Sequence, residues 1–120
     1  MRKASVLIAA VSSALTLLAV WSAGWAPLPT KMKLENARVR VTEVTAPPGV
    51  PRDRHIRQTD QIIVFLDDCR YQRADSATGQ KTVQERKSGD VIWHNKGEDA
   101  PQLINLGSKP YRTLVIELQP

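Results

Sequence analysis

The sequence predicts an all-β domain, a closed barrel or a sandwich, standing behind an N-terminal hydrophobic signal helix. Three observations carry that expectation. Residues Ala4 to Ala26 contain no charged side chain and follow Met1, Arg2 and Lys3. Beyond them, apolar residues recur at period two in short runs bounded by Pro, Gly or Asp, the pattern of half-buried strands and their turns. No later stretch carries the 3.6-residue periodicity of a helix long enough to cover a sheet, which leaves the strands to close on one another.

The first 26 residues read as an export segment. A basic start, an apolar run and a small-residue end are the parts of a secretory signal. Arg2 is not followed by a second arginine and no cysteine ends the run, so neither a twin-arginine signal nor a lipoprotein anchor is expected. Gly24 and Ala26, or Val20 and Ser22, offer small-residue cleavage positions, the first pair compromised by Pro27. The run is also close to the ~20 residues that cross a bilayer, so cleaved signal and retained anchor are the two alternatives. Ser12, Ser13 and Thr16 dilute its apolarity and favour cleavage. Either way the domain is expected in the periplasm or cell envelope, touching the membrane only through this segment.

Residues 27–33, with two prolines and two lysines, read as a linker, and 34–120 as the domain. Arg38 to Thr45 alternates, with Val39 and Val41 on one face. Gln61 to Asp67 is apolar on both faces, as in a strand buried from both sides. Cys69 to Ala74 and Gln80 to Lys87 flank Asp75 to Gly79, a hairpin turn by composition. Val91 to His94, Gln102 to Leu106 and Tyr111 to Leu118 supply the remaining strands.

Composition narrows the function classes. The 17 basic residues less Arg2 and Lys3 leave 15 against 12 acidic ones, a net +3 for residues 27–120. That excess is scattered and is not interleaved with aromatics, so no nucleic-acid partner is expected. A chain of this length buries only ~60–65 % of its surface, which suits a compact fold and is compatible with a homodimer. Cys69 is the only cysteine; it cannot form an internal disulfide and is expected buried in a strand.

Two segments go beyond fold class. Gly49 is followed after five residues by His55, then Arg57, and after three more by Gln61. This resembles the first motif of the cupin family, a glycine followed after five residues by His-x-His and then by Glu. Gly89 and Asp90 open a second segment through Trp93, His94, Asn95 and Gly97 to Asn105 and Gly107. It resembles the second cupin motif, in which a Pro-x-Gly turn precedes a histidine and an asparagine. Pro110 to Leu118 looks like the closing strand of small one-domain bacterial cupins. The resemblance spans roughly Leu34 to Leu118 and implies a cupin-like β-barrel of the jelly-roll type.

The departures from that pattern bear on chemistry. Cupin enzymes hold a divalent metal with the two histidines and glutamate of motif one and the histidine of motif two. Here only His55 matches, Arg57 and Gln61 replace the next two, and the fourth position falls on Ala100 or Pro101. One ligand of four does not hold a catalytic metal, and Arg57 would set a permanent positive charge in its place. No metal and no other cofactor are therefore expected.

His55 and Arg57 lie two apart on an extended segment and share a face, which the resemblance places inside the barrel together with Gln61. Arg57 is then either an ion-pair partner of Asp53 or Asp60, or a fork-shaped donor for a bound anion oriented by His55 and Gln61. Trp93 shares a face with Val91 and reads as a core or pocket-wall aromatic. His94 reads as a surface or hydrogen-bonded residue; facing the cavity, it would join His55 and either Glu98 or Asp99 in an unusual metal site. Asp67 and Asp68 are adjacent in an extended run and point apart, so no carboxylate pair is expected, and no catalytic residue is assigned. The expectation is an exported barrel binding a small polar or anionic molecule at His55, Arg57, Gln61 and Trp93 without metal. The alternatives are a metal-dependent dioxygenase or isomerase, and a structural, dimerising envelope protein. Whether the chain is an enzyme stays open.

Overall fold

The structure is a computed structural model that describes residues 28–120; the expected signal or anchor lies outside the described residues. Strands β1 (Thr30–Glu35), β2 (Val39–Ala46), β11 (Tyr111–Leu118), β5 (Gln61–Phe65) and β8 (Val91–His94) form one antiparallel sheet in that order. A second sheet runs β3 (Pro51–Arg52), β10 (Gln102–Asn105), β6 (Cys69–Ala74), β7 (Lys81–Arg86). A two-stranded ladder, β4 (His55–Ile56) with β9 (Asp99–Ala100), completes the described strands. No helix long and apolar enough to cross a membrane occurs among the described residues.

The long alternating runs became the long strands. β11 pairs along its whole length with β2, from Tyr111 opposite Ala46 to Leu118 opposite Val39, and with β5 on its other side. The hairpin at Asp75 to Gly79 joins β6 and β7 as its composition demands. The Asp75 carboxylate accepts the backbone N–H of Ala77 and Thr78 at 2.9 Å each, and Gly79 takes the φ of 73° that closes the turn.

Two expectations are corrected. Residues 30–33, read as linker, belong to β1. Lys31 and Lys33 suggested a solvated tether, but β1 is an edge strand whose residues are all exposed, where lysines are tolerated, and its pairing with β2 shifts register between Met32 and Leu34. In β5, Gln61, Ile63 and Phe65 are buried, whereas Ile62 and Val64 are half-buried on the outer face. That outer face carries an apolar row across five strands: Leu34, Val41, Ile116, Ile62 and Trp93 stand opposite one another in turn.

Between the sheets sits a thin core of Leu28, Ala46, Ile63, Phe65, Tyr71 and Tyr111. Asn105, only 4 % exposed, locks one end of it. Its Nδ2 donates to the carbonyls of Ala46 and Lys109, its Oδ1 accepts from Gly107 N–H, and all three bonds are 2.8 Å. No large described side chain is completely buried; the inward faces surround space instead of filling it.

Candidate functional site

The space is a cavity of about 630 Å³. One part of its wall is apolar: Val44, Ile63, Leu103 and Val115 surround Phe65, Tyr71 and Tyr111. The Phe65 and Tyr71 rings are 3° from parallel with centroids 6.2 Å apart, and Tyr71 and Tyr111 repeat that spacing at 29°. The Arg86 guanidinium lies 5.6 Å over the Phe65 ring and donates from Nε to the Tyr71 hydroxyl at 3.3 Å.

The other part is charged. Arg57 follows β4, and its backbone is fixed by two bonds to the turn after β8: Arg57 N–H donates to Glu98 O at 3.0 Å and Gly97 N–H to Arg57 O at 2.9 Å. Gly97 adopts a φ of 87° in that turn, a conformation that favours glycine. The backbone ties aim the Arg57 side chain inward, where it is 6 % exposed. Its Nη1 donates to Gln61 Oε1 at 2.9 Å, and Gln61 is in turn linked through Thr59 to Glu117. The Arg57 Nε is buried with no acceptor. Arg52, on β3, repeats this state: Nη2 donates to Pro101 O and Nε is buried without a partner. Burial first, and then the neighbouring Arg57 charge, pull the Arg52 pKa down to about 10, so it stays a cation at neutral pH.

Among the described residues, neither guanidinium is in an ion pair. Arg57 was expected either to pair with Asp53 or Asp60 or to be a donor for a bound anion; it makes neither ion pair among the described residues, donating to Gln61, while Asp60 accepts the Lys96 backbone N–H at 2.8 Å. Two of the acidic groups at this end, Asp99 and Glu98, are engaged elsewhere. Asp99 is held by the Ser76 hydroxyl and by Arg54 Nε at 2.6 Å, contacts that keep its carboxyl below the ordinary carboxylate range. Glu98 binds His94 Nδ1 at 2.9 Å and Asn95 Nδ2 at 3.1 Å, and the His94 bond chiefly holds its pKa down.

His94 faces the cavity from β8 and is hydrogen-bonded to Glu98; burial, abetted by the two arginine charges, keeps it below its ordinary pKa. His55 stands at the rim, exposed, with Nδ1 3.3 Å from Asp53 O, and burial of its ring with the same two arginines depresses it too. Trp93 is a correction. It shares a face with Val91 as expected, but that face is the outer one: Trp93 is 49 % and Val91 61 % exposed, and neither lines the cavity. Pairing His94 with the inward Gln61 and Trp93 with the outward Ile62 fixes this.

No protein-family model and no curated protein matches this sequence. Solved structures do match. A cupin domain protein from Bordetella pertussis Tohama I superposes with a TM-score of 0.69 at 20% identity, covering 78% of this chain and 96% of its own. The fold is the cupin barrel. A double-stranded β-helix protein from Klebsiella pneumoniae (TM-score 0.57, 18% identity, 79% of this chain and 86% of that one) has a similar structure. So has the polyketide cyclase RemF from Streptomyces resistomycificus (0.61, 17%, 76% and 64%).

The position where cupin enzymes hold a metal does not fit one in this chain. Among the described residues, no three His, Cys, Asp or Glu side chains come together as a ligand set. His55 is at the rim, Ala100 is fully buried opposite it in the β4–β9 ladder, and the cations Arg52 and Arg57 line the same cavity. A divalent ion would meet two positive charges and too few donors. Sequence reasoning missed Arg52, Tyr71 and Tyr111. Arg52 lies in the first motif segment on a two-residue strand, too short for alternation to reveal its face. The tyrosines begin or centre alternating runs, and their common wall appears only when β6 and β11 face each other across the barrel.

Proposed function

We propose that this cupin barrel binds a small anion in its interior through Arg57, without a metal ion. The observation that carries the reading is a guanidinium with 6 % exposure, one side-chain hydrogen bond, an unpartnered Nε and, among the described residues, no carboxylate in ion-pair contact. A buried charge without a counter-charge costs several kcal/mol, and a ligand carboxylate, phosphate or sulfate removes that cost while matching the two-pronged donor geometry. Gln61, whose Oε1 accepts from Nη1, orients the guanidinium, and His55 stands at the rim.

Thermal denaturation with acetate, phosphate and sulfate tests this. One anion at a hundredfold excess over its Kd stabilises the wild-type protein by ~2.7 kcal/mol. Arg57→Lys loses most of the response and Arg57→Ala all of it, with both variants folded. A flat response in the wild type overturns the reading.

Two further proposals concern the setting. The domain acts outside the cytoplasm; a fusion of residues 1–30 to a reporter active only there is expected to be active, and a full-length cytoplasmic product contradicts it. The domain also pairs with a second copy through the outer face of the five-stranded sheet. Its supports are the thin core and the half-exposed row ending in Leu34 and Trp93. Light scattering is expected to give a dimer mass that Trp93→Glu converts to a monomer; a monomeric wild type contradicts it.

A further inference from the structure

The cavity is lined by two guanidinium groups, each with a buried Nε, and one part of its mixed wall is aromatic and aliphatic. Arginine carries five N–H donors in a planar fork. Arg52 and Arg57 each use one Nη on a protein oxygen and leave a buried Nε with no acceptor. Four carboxylates line the cavity, and none is in ion-pair contact with either group: Asp99 is paired with Arg54, Glu98 is bound to His94, Glu117 is paired with Arg40, and Asp53 enters no ion pair among the described residues. Two guanidinium groups lining one cavity, each only partly satisfied by protein oxygens, suit an acceptor that offers several lone pairs in a plane, which a carboxylate does.

An inorganic anion would occupy only this corner. The rest of the 630 Å³ falls in the range of organic-ligand sites, ~300–1,000 Å³, and water there would lie against Phe65, Tyr71, Tyr111, Ile63 and Val115. An apolar body displaces that water favourably. The near-parallel Phe65 and Tyr71 rings and the adjoining Tyr111 offer a wall suited to a flat ring in an offset or edge-to-face contact. Burial pushes the Tyr111 hydroxyl well above its ordinary pKa, so it stays a neutral phenol beside the arginines and adds no negative charge against an anion.

We infer that the ligand is an aromatic monocarboxylate, its carboxylate held by Arg52 together with Arg57 and its ring against Tyr71 and Tyr111. This rests on the anion-binding reading above and adds the second arginine and the aromatic body.

Calorimetry on the purified protein with four probes tests it: acetate, inorganic phosphate, 3-phenylpropionate and 3-phenylpropanol. The expected result is that 3-phenylpropionate binds at least about tenfold more tightly than acetate, phosphate or the alcohol, a step of ~1.4 kcal/mol. Arg52→Gln and Arg57→Gln, which keep side-chain bulk and polarity, each weaken 3-phenylpropionate about tenfold or more. Tyr71→Leu with Tyr111→Leu lowers the preference for 3-phenylpropionate over acetate and leaves acetate affinity within about twofold. Equal binding of acetate, phosphate and 3-phenylpropionate overturns the aromatic class and leaves the anion site standing. Loss of binding in Arg57→Gln with none in Arg52→Gln overturns the two-arginine clamp alone. Equal binding of acid and alcohol, or binding of none of the four, overturns both this inference and the reading it rests on.

Discussion

Replacing Arg57 with methionine should stabilise the ligand-free protein while removing its anion response. The side chain is 6 % exposed, makes one hydrogen bond of 2.9 Å to Gln61, and leaves Nε unsatisfied. The substitution forfeits a hydrogen bond from a charged donor, ~1.5–3 kcal/mol. It also removes an unsatisfied buried N–H, ~1–3 kcal/mol, and a buried charge with no ion-pair partner, a cost of several kcal/mol in proteins. The first two terms roughly cancel, and the third, less the ~1–3 kcal/mol of leaving the buried Gln61 Oε1 without its donor, leaves a gain of about 1 kcal/mol or more. Methionine is flexible enough to fill the vacated volume, and the backbone bonds between Arg57 and the Gly97 turn do not involve the side chain. For a domain of this size 1 kcal/mol raises Tm by about 4–8 °C. Denaturation of both proteins in carboxylate-free buffer, then with 3-phenylpropionate, reads both halves. A Tm that falls by a similar amount in the ligand-free variant would refute the reasoning, because Arg57 would then be holding the barrel together.

Asn105→Ala should cost about 2–3 kcal/mol, since three 2.8 Å bonds from a buried side chain are lost at ~1 kcal/mol each; urea denaturation showing less than ~0.5 kcal/mol contradicts this. Stability should fall as pH drops through about 6.5. Burial holds His55 and His94 below the ordinary imidazole value of about 6.5, so the unfolded chain takes up protons first and the folded state loses ground down to the folded pKa values. Below that window, Asp67, held down by its hydrogen bond from Arg112, acts in the same direction, its contribution disappearing as pH falls through its depressed value. Tm measured from about pH 5 to 8 should rise with pH, and should rise less between pH ~5.5 and 7 in His55→Asn/His94→Asn; a maximum near pH 5 contradicts the assignment. Chelator should leave Tm unchanged, and the purified protein should carry less than about one-tenth equivalent of iron, manganese, nickel or zinc. Stoichiometric metal lost on His55→Ala contradicts that.

The β-barrel was legible where alternation ran long enough to be counted. Runs such as Tyr111 to Leu118 and Cys69 to Ala74 show their period within themselves, and the Asp75 to Gly79 turn carries its own chemistry. Strands of two residues, β3, β4 and β9, have no period to show, so the loops delivering Arg52, His55 and Glu98 to the cavity were unreadable as strands. Alternation also leaves one bit undetermined: it groups Val91 with Trp93 but not their side of the sheet, and the register against β5 turns Trp93 out and His94 in. Arg57 and Gln61 were legible through the cupin-like spacing. The engagement of Asp99, Asp60 and Glu117 was not, because Asp99 with Arg54, Asp60 with the Lys96 N–H and Glu117 with Thr59 are contacts 45, 36 and 58 residues apart.

The most direct measurement is a crystal structure of the protein grown with 3-phenylpropionate. The account predicts a carboxylate inside the barrel with its oxygens ~2.7–2.9 Å from guanidinium nitrogens of Arg57, with Arg52 completing the clamp and the ring against Tyr71 and Tyr111. A cavity holding no ligand, with Arg57 turned onto Asp53 or Asp60, would contradict it.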